Sequence, residues 1–173
     1  MGRARAAVLD GALRSIARQG VRATTMGDVA ALGGVAKATL YNHFRRKEDV
    51  WRALADAEVR RIVEECVALA AEDLRTAVST AADRVAEHPA IRRIAAEEPE
   101  LLGAIAAPDP GTPGWTAAVD GATAMLAASG RSASPATVDV VVRWVASHVG
   151  LPGSAESRRA GAALLIAAVL AAD

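Results

Sequence analysis

Three observations predict an all-α protein of about nine helices. Hydrophobic residues fill 52% of the 173 positions while aromatic residues fill only 3%, so alanine, leucine and valine supply the apolar bulk. Apolar positions recur three and four apart over most of the chain, and the alternating runs that mark strands are nearly missing. A chain of this length can bury most of its apolar surface.

The first punctuated element lies at Thr25, which can cap a helix whose inward positions are Met26, Val29 and Ala30. Gly33 and Gly34 end it, because glycine tolerates the positive φ of a sharp turn, and Val35 is an apolar plug between helices. A second helix follows over about 36–44, with Leu40 and Phe44 on the face of Val35 and Ala36. Lys37, Ala38, Thr39, Tyr41, Asn42 and His43 are left to point outward or to the flanks. Lysine can pair with guanine acceptors, an alanine methyl can touch a thymine methyl, and Thr, Tyr and His can bond phosphate oxygens. The spacing is that of a helix-turn-helix with a major-groove helix.

Charge points the same way. Up to Val50 there are nine Lys and Arg against four acids, a balance of +5, and the remaining residues carry eleven basic and sixteen acidic groups, or −5. A net charge of zero thus conceals a basic head on an acidic body, an asymmetry that favours nucleic acid at one end. Arg45-Arg46-Lys47 taken alone is an ordinary solvated run; directly after the helix-turn-helix it is a phosphate-binding cluster. Arg3 and Arg5 are either an arm reaching phosphate or minor groove, or disordered.

With those residues in place, the chain resembles the TetR family of transcriptional repressors. The resemblance rests on Val8 to Ala17 as first helix, Gly20, Thr24-Thr25, Val29-Ala30, Gly34-Val35, Thr39-Leu40-Tyr41, His43-Phe44 and Lys47-Glu48. It covers roughly the first 50 residues. It implies a three-helix DNA-binding domain over 1–50, with phosphate contacts from Thr25, Thr39, Tyr41, His43 and Lys47 and base reading by Lys37, Ala38 and Asn42. Ala36 stands where the family often has serine, removing a hydroxyl cap worth about 1 kcal/mol. Gly27 stands where some members carry a long base-contacting side chain, which leaves Lys37 as the main reader.

Residues 51–173 are expected to form a helical effector-binding and dimerisation domain. Lys47, Glu48 and Asp49 open a long helix running toward Leu69, its acids suited to the positive helix N-terminus. A helix from about Asp73 ends near His88-Pro89, and Pro99 divides the next segment. Ala106 to Gly114, with three prolines, is a loop; Trp115 to Ala128 is a helix, Ser129 to Ser134 a loop, and Leu151-Pro152-Gly153 a break. The last two helices, about 135–149 and 156–172, want burial on most sides. The thirteen apolar residues from Ala160 to Ala172 fall short of the about 20 that cross a bilayer, so no membrane contact is expected. The family resemblance implies instead a homodimer through these two helices, with a double-stranded, palindromic operator as partner.

The resemblance also implies a small, largely apolar effector, with Ile91, Ile94, Leu102, Ile105, Trp115, Val119, Met125 and Trp144 as its lining. Residues of this kind are more often plain core than ligand contacts. His148 reads as a satisfied interface histidine. The single Cys66 excludes an internal disulfide and reads as a small buried hydrophobe. Asp10 and Arg14 interrupt any apolar run after Met1, so no secretory signal is expected and the compartment is the cytoplasm of a prokaryote. No zinc-binding H-E-x-x-H, phosphate-cradling loop or nucleophile elbow occurs, so no enzyme, metal or cofactor is expected. The alternative to a regulator is a dimeric helical sensor or carrier of small molecules without specific operator recognition.

Overall fold

The computed structural model describes residues 2–106 and 110–172, and among these every regular element is helical. Ten α-helices follow one another: α1 (Arg3–Ala23), α2 (Met26–Gly33), α3 (Lys37–His43), α4 (Lys47–Ala70), α5 (Leu74–Ala86), α6 (Pro89–Glu97), α7 (Leu102–Ala106), α8 (Pro113–Ala128), α9 (Pro135–Ser147) and α10 (Ala155–Ala172). A 3-10 turn at Pro99–Leu101 joins α6 to α7. The sequence expectation of an all-α chain of about nine helices therefore holds among the described residues, and Pro99 divides the 89–106 segment as the sequence predicts.

Local chemistry accounts for several helix starts. Asp73, Thr112 and Ser134 each lend a side-chain oxygen to a backbone N–H in the first turn of α5, α8 and α9. At α8 and α9 a proline then opens the helix, where its missing N–H costs nothing. The cap on Thr112 starts α8 two residues before the Trp115 expected from the sequence. Pro108 of the expected loop lies outside the described residues. The first helix departs more: it begins at Arg3 and bends at Gly20, so Arg3 and Arg5 belong to a helix and form neither an arm nor a disordered tail.

Two compact units emerge from the packing. The first comprises Met1–Ala57 with Pro89–Leu102, and the second Glu58–His88 with Gly103–Asp173, so α4 passes from one into the other. In the first unit Val8, Leu9 and Ala12 of α1 meet Val29 and Ala30 of α2, Leu40 and Phe44 around α3, Val50 of α4 and Ile94 of α6. This packing unit differs from a cut at residue 50, because α6 begins at Pro89, 46 positions after α3 ends at His43, yet shares its core.

In the second unit Cys66, Val78, Leu126, Val141, Ala162 and Ile166 form the centre, drawn from α4, α5, α8, α9 and α10. Burial pushes the Cys66 thiol up to about 11, so the sulfur is an inert apolar group, as the sequence suggests. Arg158 of α10 is only 4% exposed, and it is satisfied by Asp83, by Glu87 at 2.9 Å and by the carbonyls of Pro152 and Gly153 at 2.8 and 3.1 Å. Among the described residues no helix is long and apolar enough to cross a membrane.

Candidate nucleic-acid interface

The surface of α3 is fixed from beneath. Leu40 is fully buried and Phe44 nearly so, which leaves the opposite side of this two-turn helix facing outward. Lys37, Ala38, Tyr41, Asn42 and His43 are exposed there and Thr39 is half-buried. Ala36 precedes the helix without a side-chain cap, so α3 depends on its buried face rather than on its N-terminus for stability. The Arg5 guanidinium carbon sits 5.4 Å over the Phe44 ring, which brings a cation from α1 to the end of α3.

The approach from α2 is set by two caps. Thr25 accepts from the Asp28 amide at 3.2 Å, while the Asp28 carboxylate accepts from the Thr25 amide at 2.9 Å and from its hydroxyl at 2.7 Å. This is a reciprocal capping box. Hydrogen bonding from Thr25 holds the Asp28 carboxyl below its usual value of 3.8. At the other end Gly34 takes φ 63°, ψ 31°, and the amides of Gly34 and Val35 return to the carbonyls of Ala31 and Ala30 at 3.2 and 3.0 Å. A positive φ with two returning amides turns the chain sharply into α3, the role the sequence assigns to this glycine.

Lys37 runs back across α2. A Cβ built on Gly27 would meet its Cε at 3.6 Å and its Nζ at 3.7 Å. The ammonium therefore lies at the first turn of α2, on the same side as Thr25. Arg45 and Arg46 are exposed between α3 and α4, and Lys47, half-buried, opens α4. Other basic groups of the head are committed elsewhere: Arg14 to Asp10 and to the Leu32 carbonyl at 2.6 Å, Arg22 to Glu100 at 2.5 Å.

The eight residues expected to line an effector site are spread over both units. Ile94 belongs to the core of the first unit and Leu102, half-buried, packs against it, with Ile91 half-buried on α6. Met125 is in the core of the second, Trp115, Val119 and Trp144 pack against it, and Ile105 is exposed on α7. An open recess of about 370 Å³ in the second unit lies between the α4–α5 corner, Arg131 and α10, and none of the eight borders it. His148 ends α9 with its Nδ1 2.9 Å from the Trp144 carbonyl and its ring edge-on to Trp144.

Residues 8–54 match the family described as bacterial regulatory proteins, tetR family. This N-terminal head is similar to the TetR-family DNA-binding domain. Curated relatives share this head: the HTH-type transcriptional regulator TtgR of Pseudomonas putida is 38% identical over 53 residues, 31% of this chain and 25% of TtgR. AcrR of Shigella flexneri is 35% identical over 57 residues, 33% of this chain and 26% of AcrR. The matches thus span about a quarter of the length of these regulators. The TetR fold extends further. The TetR family repressor AlkX of Dietzia sp. strain DQ12-45-1b aligns with a TM-score of 0.67 at 19% identity, over 96% of this chain and 95% of AlkX. A TetR transcriptional regulator of Rhodococcus sp. RHA1 aligns with a TM-score of 0.52 at 20% identity, over 94% and 96%.

The residues that the sequence reading missed are the supports. Asp28 had a legible signal, since Thr25 followed three positions later by an acid is the capping-box spacing. Glu98, which the structure brings against α1, had none, because it lies 77 residues from Val21.

Proposed function

We propose that this TetR-family chain is a homodimeric, sequence-specific DNA-binding regulator of transcription that represses from a palindromic operator. The observation that carries the proposal is the outer face of α3, whose exposed side chains Lys37, Ala38, Tyr41 and Asn42 are backed by buried Leu40 and Phe44. Lys37, Ala38 and Asn42 read base edges, while Thr39, Tyr41, His43 and Lys47 hold phosphates. Thr25 joins them through its position at the α2 corner, its hydroxyl being occupied by Asp28.

Residues 1–50 carry this role, and residues 51–173 carry dimerisation and effector binding. The last two helices support a second copy as partner: Leu164 of α10 is 74% exposed and Val140 of α9 is half-exposed, with alanines beside them. A twofold axis there gives two recognition helices, and about 34–36 Å between them suits successive major grooves. The effector is a small apolar molecule whose candidate contacts in the second unit are Ile105, Trp115, Val119, Met125 and Trp144, while Ile91, Ile94 and Leu102 lie in the first unit; its binding lowers operator affinity by a population shift.

Selection of bound fragments from genomic DNA, followed by titration against random DNA, tests the proposal. A regulator of this kind binds its site near 10⁻⁸ M or tighter, on the order of 10³-fold tighter than random sequence. Salt-sensitive attraction with no preferred site would refute it.

A further inference from the structure

Gly20 takes φ 81°, ψ 175°, which breaks the hydrogen-bond ladder of α1 three residues before its end. The amides just beyond the bend then lack helical acceptors. Glu98 supplies them. One carboxylate oxygen accepts the Val21 amide at 2.7 Å and the other accepts the Arg22 amide at 2.8 Å. Glu98 is 6% exposed, and its own amide is tied to the Ile94 carbonyl of α6 at 2.8 Å. A Cβ on Gly20 would stand 3.1 Å from that carboxyl, so the glycine both bends the chain and leaves room for the acid.

We propose that Glu98 is a positioning residue of the DNA-reading head, although it lies far outside residues 8–54. The inference rests on the DNA-binding reading above. The bent end of α1 leads directly into α2 through one continuous set of bonds. Thr24 donates to the Gly20 carbonyl at 2.6 Å and accepts from Ser15 at 3.1 Å; Gln19 reaches the Ala23 carbonyl at 3.2 Å and Asp28 at 3.1 Å; Asp28 closes the cap on Thr25. The rest of α1 is held independently by Val8, Leu9 and Ala12 in the core. Glu98 therefore sets the angle at which α2 and its Thr25 corner stand, without being needed for the head to fold. Its position four residues before Leu102, where the chain leaves this unit, has a consequence: displacement of the 98–102 segment must either release the two amides or drag the corner with it.

The test uses the full chain with Glu98→Gln, which keeps shape and one acceptor oxygen, and Glu97→Gln as a control of equal charge change on the exposed, Arg93-paired neighbour. Amide exchange at Val21 and Arg22 is expected to accelerate about tenfold or more in Glu98→Gln, and affinity for the selected operator to fall about tenfold, while affinity for random DNA is retained. The control is expected to match wild type in all three. Faster exchange with full operator affinity would make Glu98 a structural clamp only and overturn the inference, as would unchanged exchange. Should Glu98→Gln not fold, the shorter Glu98→Asp is judged by the same readouts. A wild-type chain that prefers no DNA site would overturn the underlying reading, and that result is seen without any variant.

Discussion

Gly11 of α1 and Gly33 of α2 meet backbone to backbone. A Cβ on Gly11 would fall 2.5 Å from the Gly33 nitrogen and 2.4 Å from the Val29 carbonyl oxygen, and one on Gly33 would fall 2.6 Å from the Ala7 carbonyl oxygen. Neither obstacle is a flexible side-chain end, so the helices themselves would have to separate. Gly11→Ala is expected to destabilise the chain by about 3 kcal/mol, at the upper end of overpacking costs, seen as a lower urea midpoint. An unchanged midpoint would show that α1 can shift at no cost.

The capping box ties stability to acid. Because the folded Asp28 carboxyl is held below 3.8, its contribution is complete above that pH and is lost as pH falls through the depressed folded value. Thr25→Ala removes the hydroxyl on which the depression chiefly depends and is expected to cost about 1 kcal/mol at neutral pH. The difference between wild type and Thr25→Ala is expected to shrink below pH 3.8 in thermal melts. A difference that stays constant through acid would mean that Asp28 does not titrate with the cap.

What the sequence made legible follows the range of each interaction. Thr25, Gly34, Leu40 and Phe44 act within a turn or two of their own position, so spacing alone placed α2, the turn and the outer face of α3. Periodicity likewise gave the long α4 and the apolar α9 and α10. Contacts over long separations left no local trace: Glu98 at the α1 bend, Arg158 on Asp83 and the joining of α6 to the head all depend on segments about 70 or more residues apart. The packing of α6 with the head had no local trace in the sequence for that reason. Arg5 was readable as a cation but not as a partner of Phe44, because nothing in its neighbourhood fixes the start of α1.

On the proposed DNA-binding reading, Lys37 and Lys47 are expected to separate base reading from phosphate binding. Lys37 stands at the exposed start of α3 with its stem along Gly27, whereas Lys47 opens α4 beside Arg45 and Arg46. Lys37→Ala is expected to lose about 1–3 kcal/mol at the operator and to relax preference at one base pair per half-site. Lys47→Ala is expected to weaken all sequences alike and to reduce the salt slope by about 1. Titrations of both variants against operator and random DNA at several salt concentrations distinguish the roles; uniform losses for Lys37→Ala would show that it reads nothing.

Arg158 joins α10 to α5 within the second unit. Its guanidinium is buried, but the Asp83 and Glu87 side chains remain 32% and 60% exposed, so removal leaves carboxylates that water can partly reach. Two carbonyls, those of Pro152 and Gly153, lose their donor as well. Arg158→Ala is therefore expected to cost about 2–4 kcal/mol, below the upper range for a fully buried pair, and Glu87→Gln under about 1 kcal/mol. Urea titration of both, with unchanged m-values, checks the ranking; equal losses would place the stability in Glu87 rather than in the buried cation.

Leu164 tests the dimer. It projects from α10 with 74% of its surface exposed, while its neighbours Ala162 and Ile166 on the other side of the helix are buried in the second unit. A leucine left outside on a helix whose inner face is already satisfied gains from a second copy, in which each Leu164 loses water against the partner's α9 and α10. Leu164→Arg places a charge on each side of that contact and leaves the protomer core untouched. Dissociation is expected to rise about 100-fold, roughly 3 kcal/mol, with the helical circular dichroism spectrum unchanged. Light scattering is then expected to report monomer where the proposed wild-type assembly is a dimer, and operator affinity is expected to fall because a lone recognition helix reads only a half-site. A Leu164→Arg chain that remains dimeric would move the twofold axis away from α10.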